Sequence, residues 1–302
     1  MSSPSFTRIG TATQYDSAVR NISARQTALS NLQENLTAGK RVLRASDDPV
    51  AAAQAERALT RIGRIQTEQR ALDVQRNAVA QAEASLGDAV GLVQQMRELV
   101  VSAGNGGHVA SDRKTIAGQL QSLRDQLLSV SNRTDTSGVP LLAALGSSAV
   151  PFGAGSSFAG LPGQAGGSGV SIAGALDGEA AFMLSPGTSL FQAIDLAITG
   201  IGSAADSTGA AAAVSQALGD MDQGMERLQA VRGYAGELLN RADRITGDQE
   251  QRSIQLEADR SRAEDLDMIQ GISNFQNQQV GYQAALQSYA MVQKLSLFNF
   301  IS

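Results

Sequence analysis

Hydrophobic positions recur at helical spacing in a long block at each end of the chain and lose any long period between them. In the first block Ile22, Leu29 and Leu36 stand seven apart with Leu32 on the same face. The pattern stops at Gly39, Lys40 and Arg41, a glycine and two cations that suit a helix C-terminus. Ala58, Ile65, Leu72, Val79, Leu86, Val93 and Val100 then repeat every seven residues without a break. That run predicts a helix of roughly 50 residues, about 75 Å long at 1.5 Å per residue. A turn-forming cluster, Gly104 to Gly107, separates it from a third helix carrying Ile116, Leu120, Leu123 and Leu127, with Ser111 or Asp112 as its cap. Past residue 207 the helical spacing returns in Leu218, Met221, Met225, Leu228, Arg232, Ala235, Leu239 and Ala242, where Arg232 interrupts an apolar seam. The last pattern runs Met268, Ile272, Phe275, Gln279, Tyr282, Leu286 and Tyr289 and continues through Leu295 to Phe298. A heptad seam cannot satisfy itself alone, so the first and last segments are expected to pair.

The polar positions sharpen this picture. After Asp267 the only charged side chain is Lys294. A solvated helix face carries charges, so a last helix faced with Gln, Asn, Ser and Ala is expected to be enclosed by other protein on several sides. One apolar seam does not offset the entropy of ordering its backbone. Both ends are therefore expected to be disordered in the monomer and to fold on assembly. Between the first two helices, Ser46, Asp47, Asp48 and Pro49 form a hard junction: Asp48 as N-cap, and Pro49 in the first helical position, where its missing donor costs nothing. The segment 139–207 holds Pro140, Pro151, Pro162 and Pro186 among many glycines, with VSIAG and AAFML as short candidate strands. The fold class expected is mainly α, with long N- and C-terminal helices paired in a coiled-coil-like bundle and a small β-rich or irregular central insert.

Composition narrows the function classes. Aromatics are 4% of the chain and Trp is absent, which favours slender helical packing over one wide core. Residues 1–140 hold 16 Lys/Arg against 13 Asp/Glu and residues 207–302 hold 8 against 12, so no segment is basic enough to track a nucleic-acid backbone. The absence of Cys excludes disulfides and thiolate metal sites. The first residues lack a secretory apolar core and no stretch of about 18 apolar residues exists for a membrane span. His108, the only histidine, sits in a Gly-rich turn and cannot build a His-based metal site. Asp47 and Asp48 point in different directions and read as caps rather than an acid/base pair. The glycine clusters lack the Lys-Ser/Thr ending of a phosphate loop. The 139–207 insert offers only Asp177, Glu179, Asp195 and Asp206 as charges, too few for an enzyme site. No catalytic residue, metal site or cofactor is expected. A coiled-coil signalling receptor would need a sensor domain or a membrane span, and neither is visible.

Four segments carry a family resemblance. LTAGKRVLRASDDPVAAA, residues 36–53, resembles the signature of bacterial flagellins and flagellin-like proteins, and RGYAGELLNR, residues 232–241, is similar to their C-terminal rod helix. SRAEDLD at 261–267 and QAALQSYAMVQKLSLFNFI at 283–301 are closer to the hook-filament junction members of that superfamily, the hook-associated protein 3 type, than to filament flagellin. The resemblance covers roughly residues 1–137 and 210–302. Where family members often carry Leu-Phe-x-Gly after the third helix, this chain reads GVPLLAALG, residues 138–146.

The resemblance implies a structural adaptor joining hook to filament, with filament flagellin as the alternative, and no enzymatic activity. Residues 1–43 plus 262–302 would form an inner, channel-facing helical pair, 44–138 plus 208–261 a helical rod, and 139–207 an outer domain. Ile22, Leu29, Leu32, Leu36, Met268, Ile272, Phe275, Tyr282, Leu286, Tyr289, Leu295 and Phe298 would form the assembly interface. Its partners would be identical subunits in a ring, a neighbouring hook-associated protein, flagellin and a cytosolic export chaperone, with no nucleic acid and no membrane. The expected location is the extracellular flagellum, reached by type III export without a cleaved signal peptide.

Overall fold

A computed structural model describes residues 11–144, 148–153, 157–161, 163 and 167–301, with side chains described from 16 to 291 outside the gaps. Its elements are α1 (Thr11–Ala38), α2 (Pro49–Ala103), α3 (Ala110–Ser131), α4 (Gly178–Phe182), β1 (Met183–Ser185), β2 (Thr188–Ser189), α5 (Leu190–Ser203), α6 (Ser207–Glu264) and α7 (Met268–Ile301). They fall into two compact units, residues 1–63 with 252–302, and residues 64–251.

The second unit is built on α2 and α6. The heptad positions of α2 from Ile65 to Val100 are all buried, and Leu72 through Val100 are 1% exposed or less. Cross-helix ion pairs set the direction: Arg76 to Asp243 at 3.2 Å and Arg97 to Asp222 at 2.8 Å. The pair ends are 21 residues apart on α2 (97 − 76) and 21 apart in the opposite sense on α6 (243 − 222), so the helices run antiparallel in register. Arg232, the polar interruption of the α6 seam, swings out and donates to Glu83 at 2.6 Å, with its guanidinium 3.6 Å from where a Cβ on Gly87 would stand. The missing side chain at Gly87 makes room for that crossing.

The central segment departs from its sequence pattern in two respects: the VSIAG stretch, residues 170–174, forms no strand, and a helix appears where none was expected. An amphipathic helix, α5, buries Leu190, Phe191, Ile194, Ala197 and Ile201 against α3. Its start is a capping box: Ser189 Oγ accepts from the Gln192 N–H at 3.2 Å, and Gln192 Oε1 accepts from the Ser189 N–H at 3.0 Å. Of the AAFML stretch, Ala180 to Phe182 close the short α4 and Met183 and Leu184 enter β1, which turns through Gly187 (φ +85°) to pair antiparallel with β2. Phe152, Phe158, Phe182 and Phe191 gather in one cluster with ring centroids 5.1 to 5.4 Å apart. Four phenylalanines are thus concentrated in one place, and Phe152, Phe182 and Phe191 are among the largest fully buried side chains of the described residues. Arg124 of α3 lies 5.9 Å from the Phe191 ring centroid while it donates to both carboxylate oxygens of Asp195 at 3.0 Å.

Helix α3 begins earlier than Ser111. Val109 is its N-cap residue, and Asp112, one turn in, accepts from the Val109 N–H at 3.2 Å. A carboxylate in the first turn meets an unpaired donor without being the cap itself.

Candidate functional site: the terminal helical pair and its junction

In the first unit α1 packs against α7. Close approach is built into α7 at Gly271, where an added Cβ would stand 2.9 Å from Leu266 and 3.1 Å from Leu36. Farther along, Arg25 donates to Gln278 at 3.5 Å beside Gly281. Ile22, Leu29, Leu32 and Leu36 of α1, and Phe275, Tyr282 and Tyr289 of α7, are half-buried. The face of α7 turned toward α1 runs through Gly271, Phe275, Gln278, Tyr282, Ala285 and Tyr289. Met268, Ile272 and Leu286 stand exposed beside that face. Leu295 and Phe298 belong to α7, but their side chains lie outside the described residues.

No described side chain of α1 is buried, and among the described residues of α7 only Gly271 is buried. The outer surface of α7 instead presents Ile269, 85% exposed, Val280, 66% exposed, and Met291, with no charge between Asp267 and Lys294. A groove of about 700 Å³ opens between α1 and α7, lined among others by Ile22, Arg25, Gln278 and Tyr289. Two helices that leave this much apolar surface in water and bury no side chain among their described residues make half a bundle.

The junction below the pair is tightly bonded. Gly39 takes φ +69° after the last turn of α1, where a glycine meets no steric cost. Its carbonyl accepts from Leu266, while the Glu264 carbonyl accepts from Arg41 at 2.7 Å and Val42 at 3.3 Å. The two passing chain segments are thereby stitched together. Lys40 and Arg260 both reach the buried Glu264 carboxylate, at 3.1 and 2.9 Å. Arg41 bridges Asp48, at 3.1 Å, and the Ala263 carbonyl, at 2.8 Å. This Lys40–Arg41–Glu264 clasp joins residues more than 200 positions apart, and no local spacing signals it.

Asp48 accepts from the Val50 and Ala51 N–H groups at 3.2 and 3.0 Å, with Pro49 as the first residue of α2. Asp47 accepts from Leu43 and Arg44, and Ser46 Oγ reaches Asp47 at 3.4 Å. Asp267 takes the same role for α7, accepting from Ile269 and Gln270. The Ala51 N–H and then the Arg41 guanidinium hold the Asp48 carboxyl below its usual 3.8, and the Arg44 N–H does most of the same at Asp47. A depressed carboxylate stabilises the folded junction above its unfolded value, and that contribution disappears as pH falls through the folded one. Asp48→Asn keeps a capping oxygen but removes the charge. Protection of the Val50 and Ala51 amides from exchange should fall in the variant near neutral pH and converge with the parent as pH falls through the depressed pKa of the folded Asp48 carboxyl. An identical acid dependence in both proteins would contradict this assignment.

His108 stands 3.7 Å from Asp112 in the turn after α2, with its carbonyl accepting from Arg113. Among the described residues no group of three His, Cys, Asp or Glu side chains converges as metal ligands, and no helix is long and apolar enough to cross a membrane.

Residues 9–146 match the bacterial flagellin N-terminal helical region family. The flagellar hook-associated protein 3 of Salmonella typhimurium is 28% identical over 315 residues, covering 97% of this chain and 99% of that protein. A flagellin of Escherichia coli K12 is 36% identical over 136 residues, 44% of this chain but only 27% of the flagellin. Among solved structures, a putative flagellar hook-associated protein from Vibrio parahaemolyticus superposes with a TM-score of 0.66 at 19% identity, covering 72% of this chain and all of that one.

Proposed function

We propose that this chain, which belongs to the hook-associated protein 3 branch of the flagellin-like family, works through its terminal helices as the structural subunit that joins hook to filament. It is not an enzyme. The observation that carries the mechanism is the outer face of α7, uncharged from Met268 to Met291 and bearing the exposed Ile269, Val280 and Met291, on a helix pair with no buried side chain among the described residues. Such a pair reaches a stable fold when neighbours complete the bundle.

In this reading identical subunits form a ring, with another hook-associated protein on one side and flagellin on the other. The assembly surface comprises Ile22, Leu29, Leu32 and Leu36 with Met268, Ile272, Phe275, Tyr282, Leu286, Tyr289, Leu295 and Phe298. Exposed apolar helices also need cover before assembly, which fits export with a cytosolic chaperone to an extracellular position on the flagellum. Residues 1–43 plus 262–302 would face the channel, 44–138 plus 208–261 would form the rod, and 139–207 would lie outermost.

Filament flagellin is the second reading, favoured by the 36% identity of the matched flagellin segment. Coverage argues against it, since the chain matches hook-associated protein 3 from end to end. Seeded assembly separates them. Purified protein added to hook or filament seeds should stop at a short layer, seen by electron microscopy; continued elongation into filaments would make it a flagellin.

A further inference from the structure

A second groove lies in the first unit, between the start of α2 and the end of α6. It encloses about 410 Å³ and is lined by Gln54, Arg57, Ala58 and Arg61 on one wall and Leu256, Asp259, Arg262 and Ala263 on the other. Its floor is small and apolar, with Ala58 and Ala263 both buried. Its rim carries three guanidiniums against one carboxylate. Arg262 takes that carboxylate, Asp259. Among the described residues, Arg57 donates only to the Ala53 carbonyl of its own helix, and Arg61 makes no ion pair. An open groove with an alanine floor and surplus guanidiniums fits a slender helix bearing carboxylates.

The second unit presents such a surface. On α6, Glu226, Glu237 and Asp248 are spaced by eleven residues, which keeps them within about 40° of one line on the helix. All three are exposed, and none has an ion pair among the described residues. Arg244 is exposed on the same line, and Arg241, half-buried about 20° beyond Asp248, donates to the Ser168 carbonyl, so among the described residues three carboxylates without an ion pair face one exposed guanidinium. Gly219 and Gly233 lie on this face too, and a Cβ added at either would meet nothing within 4 Å. Glycine inside a helix weakens it, and no described neighbour within the subunit requires these two. A close-packed neighbour does, because bare backbone lets two helices approach.

We propose that the Arg57–Arg61–Arg262 groove receives the Glu226–Asp248 face of α6 from a second copy of this chain. The contact is heterologous, so it propagates from subunit to subunit and can close a ring. It rests on the reading of the chain as a ring-forming junction subunit, and it names charged helix faces outside the terminal pair as a second point of subunit contact.

The absence of cysteine makes the test direct. Flagella are isolated from cells whose only copy is the Arg61→Cys/Glu237→Cys double variant, and a short bis-maleimide is added. Covalent dimers and higher bands are expected on a denaturing gel, with monomer alone in each single variant. A double variant that sits at filament bases by immunogold yet gives only monomer overturns the proposal. Charge exchange covers the case in which the cysteines impair assembly. Arg57→Glu/Arg61→Glu and Glu237→Arg/Asp248→Arg should each cut the number of attached filaments on the order of tenfold. The four changes combined should restore it to within about twofold. No restoration, with all variants folded by circular dichroism, also overturns the proposal. The junction reading fails by a different result: attached filaments in cells lacking the protein altogether.

Discussion

Removal of residues 268–302 leaves a soluble, folded protein that no longer assembles, and cells carrying it release unattached flagellin into the medium. The two halves of this result have separate physical causes. The buried cluster of the second unit runs from Leu72 to Ile245 and takes no side chain from α7, so its cooperative unfolding should move by no more than about 2 °C. Helix α1, by contrast, loses the helix it packs against and exposes Ile22, Leu29, Leu32 and Leu36 fully. Limited proteolysis of the intact dilute monomer should show the same division, with trimming confined to α1 and α7 while the second unit resists. Filament counts by electron microscopy test the functional half, and normal attachment in the deletion would remove the terminal helices from the mechanism.

The long seams were legible because a heptad is a local signal. Leu72, Val79, Leu86 and Val93 could be assigned to a core from spacing alone, and they are buried. The inner line of α7 was harder to place. Phe275, Tyr282 and Tyr289 lie on it, but small residues complete it, with Gly271 and Ala285 packed where Met268, Ile272 and Leu286 are not. A pattern scored on large apolar side chains passes over positions where helix contact depends on having little side chain. Helix α5 was missed for a related reason. Its residues Leu190, Phe191, Ile194, Ala197 and Ile201 have helical spacing, and Ser189 with Gln192 is a capping-box pair, yet both sit in a segment whose glycines and prolines dominate its composition. The Lys40–Glu264 pairing had no signal in one sequence, since charge pairing over that separation is visible only after the chain is folded.

The central insert carries the largest expected effect on stability. Phe191 is fully buried, stacks on Phe182 at 5.3 Å, meets Phe152 at 5.1 Å and lies under the Arg124 guanidinium. Truncation to alanine removes a ring from a cluster that also packs on α2, α3 and α6 side chains such as Met96, Leu127 and Leu228. Phe→Ala in a core costs about 3–5 kcal/mol, and at about 2–4 °C per kcal/mol for a unit of this size the thermal midpoint should fall by roughly 6–20 °C. Phe191→Leu keeps most of the apolar contact and should cost much less, which separates loss of volume from loss of the aromatic ring itself. The same measurement decides what the segment is for. An outward decoration with its own small fold would let the midpoint of α2 and α6 stay where it is, within about 2 °C. A shared core ties the insert to the long helices, so one substitution between residues 139 and 207 should melt both in a single transition.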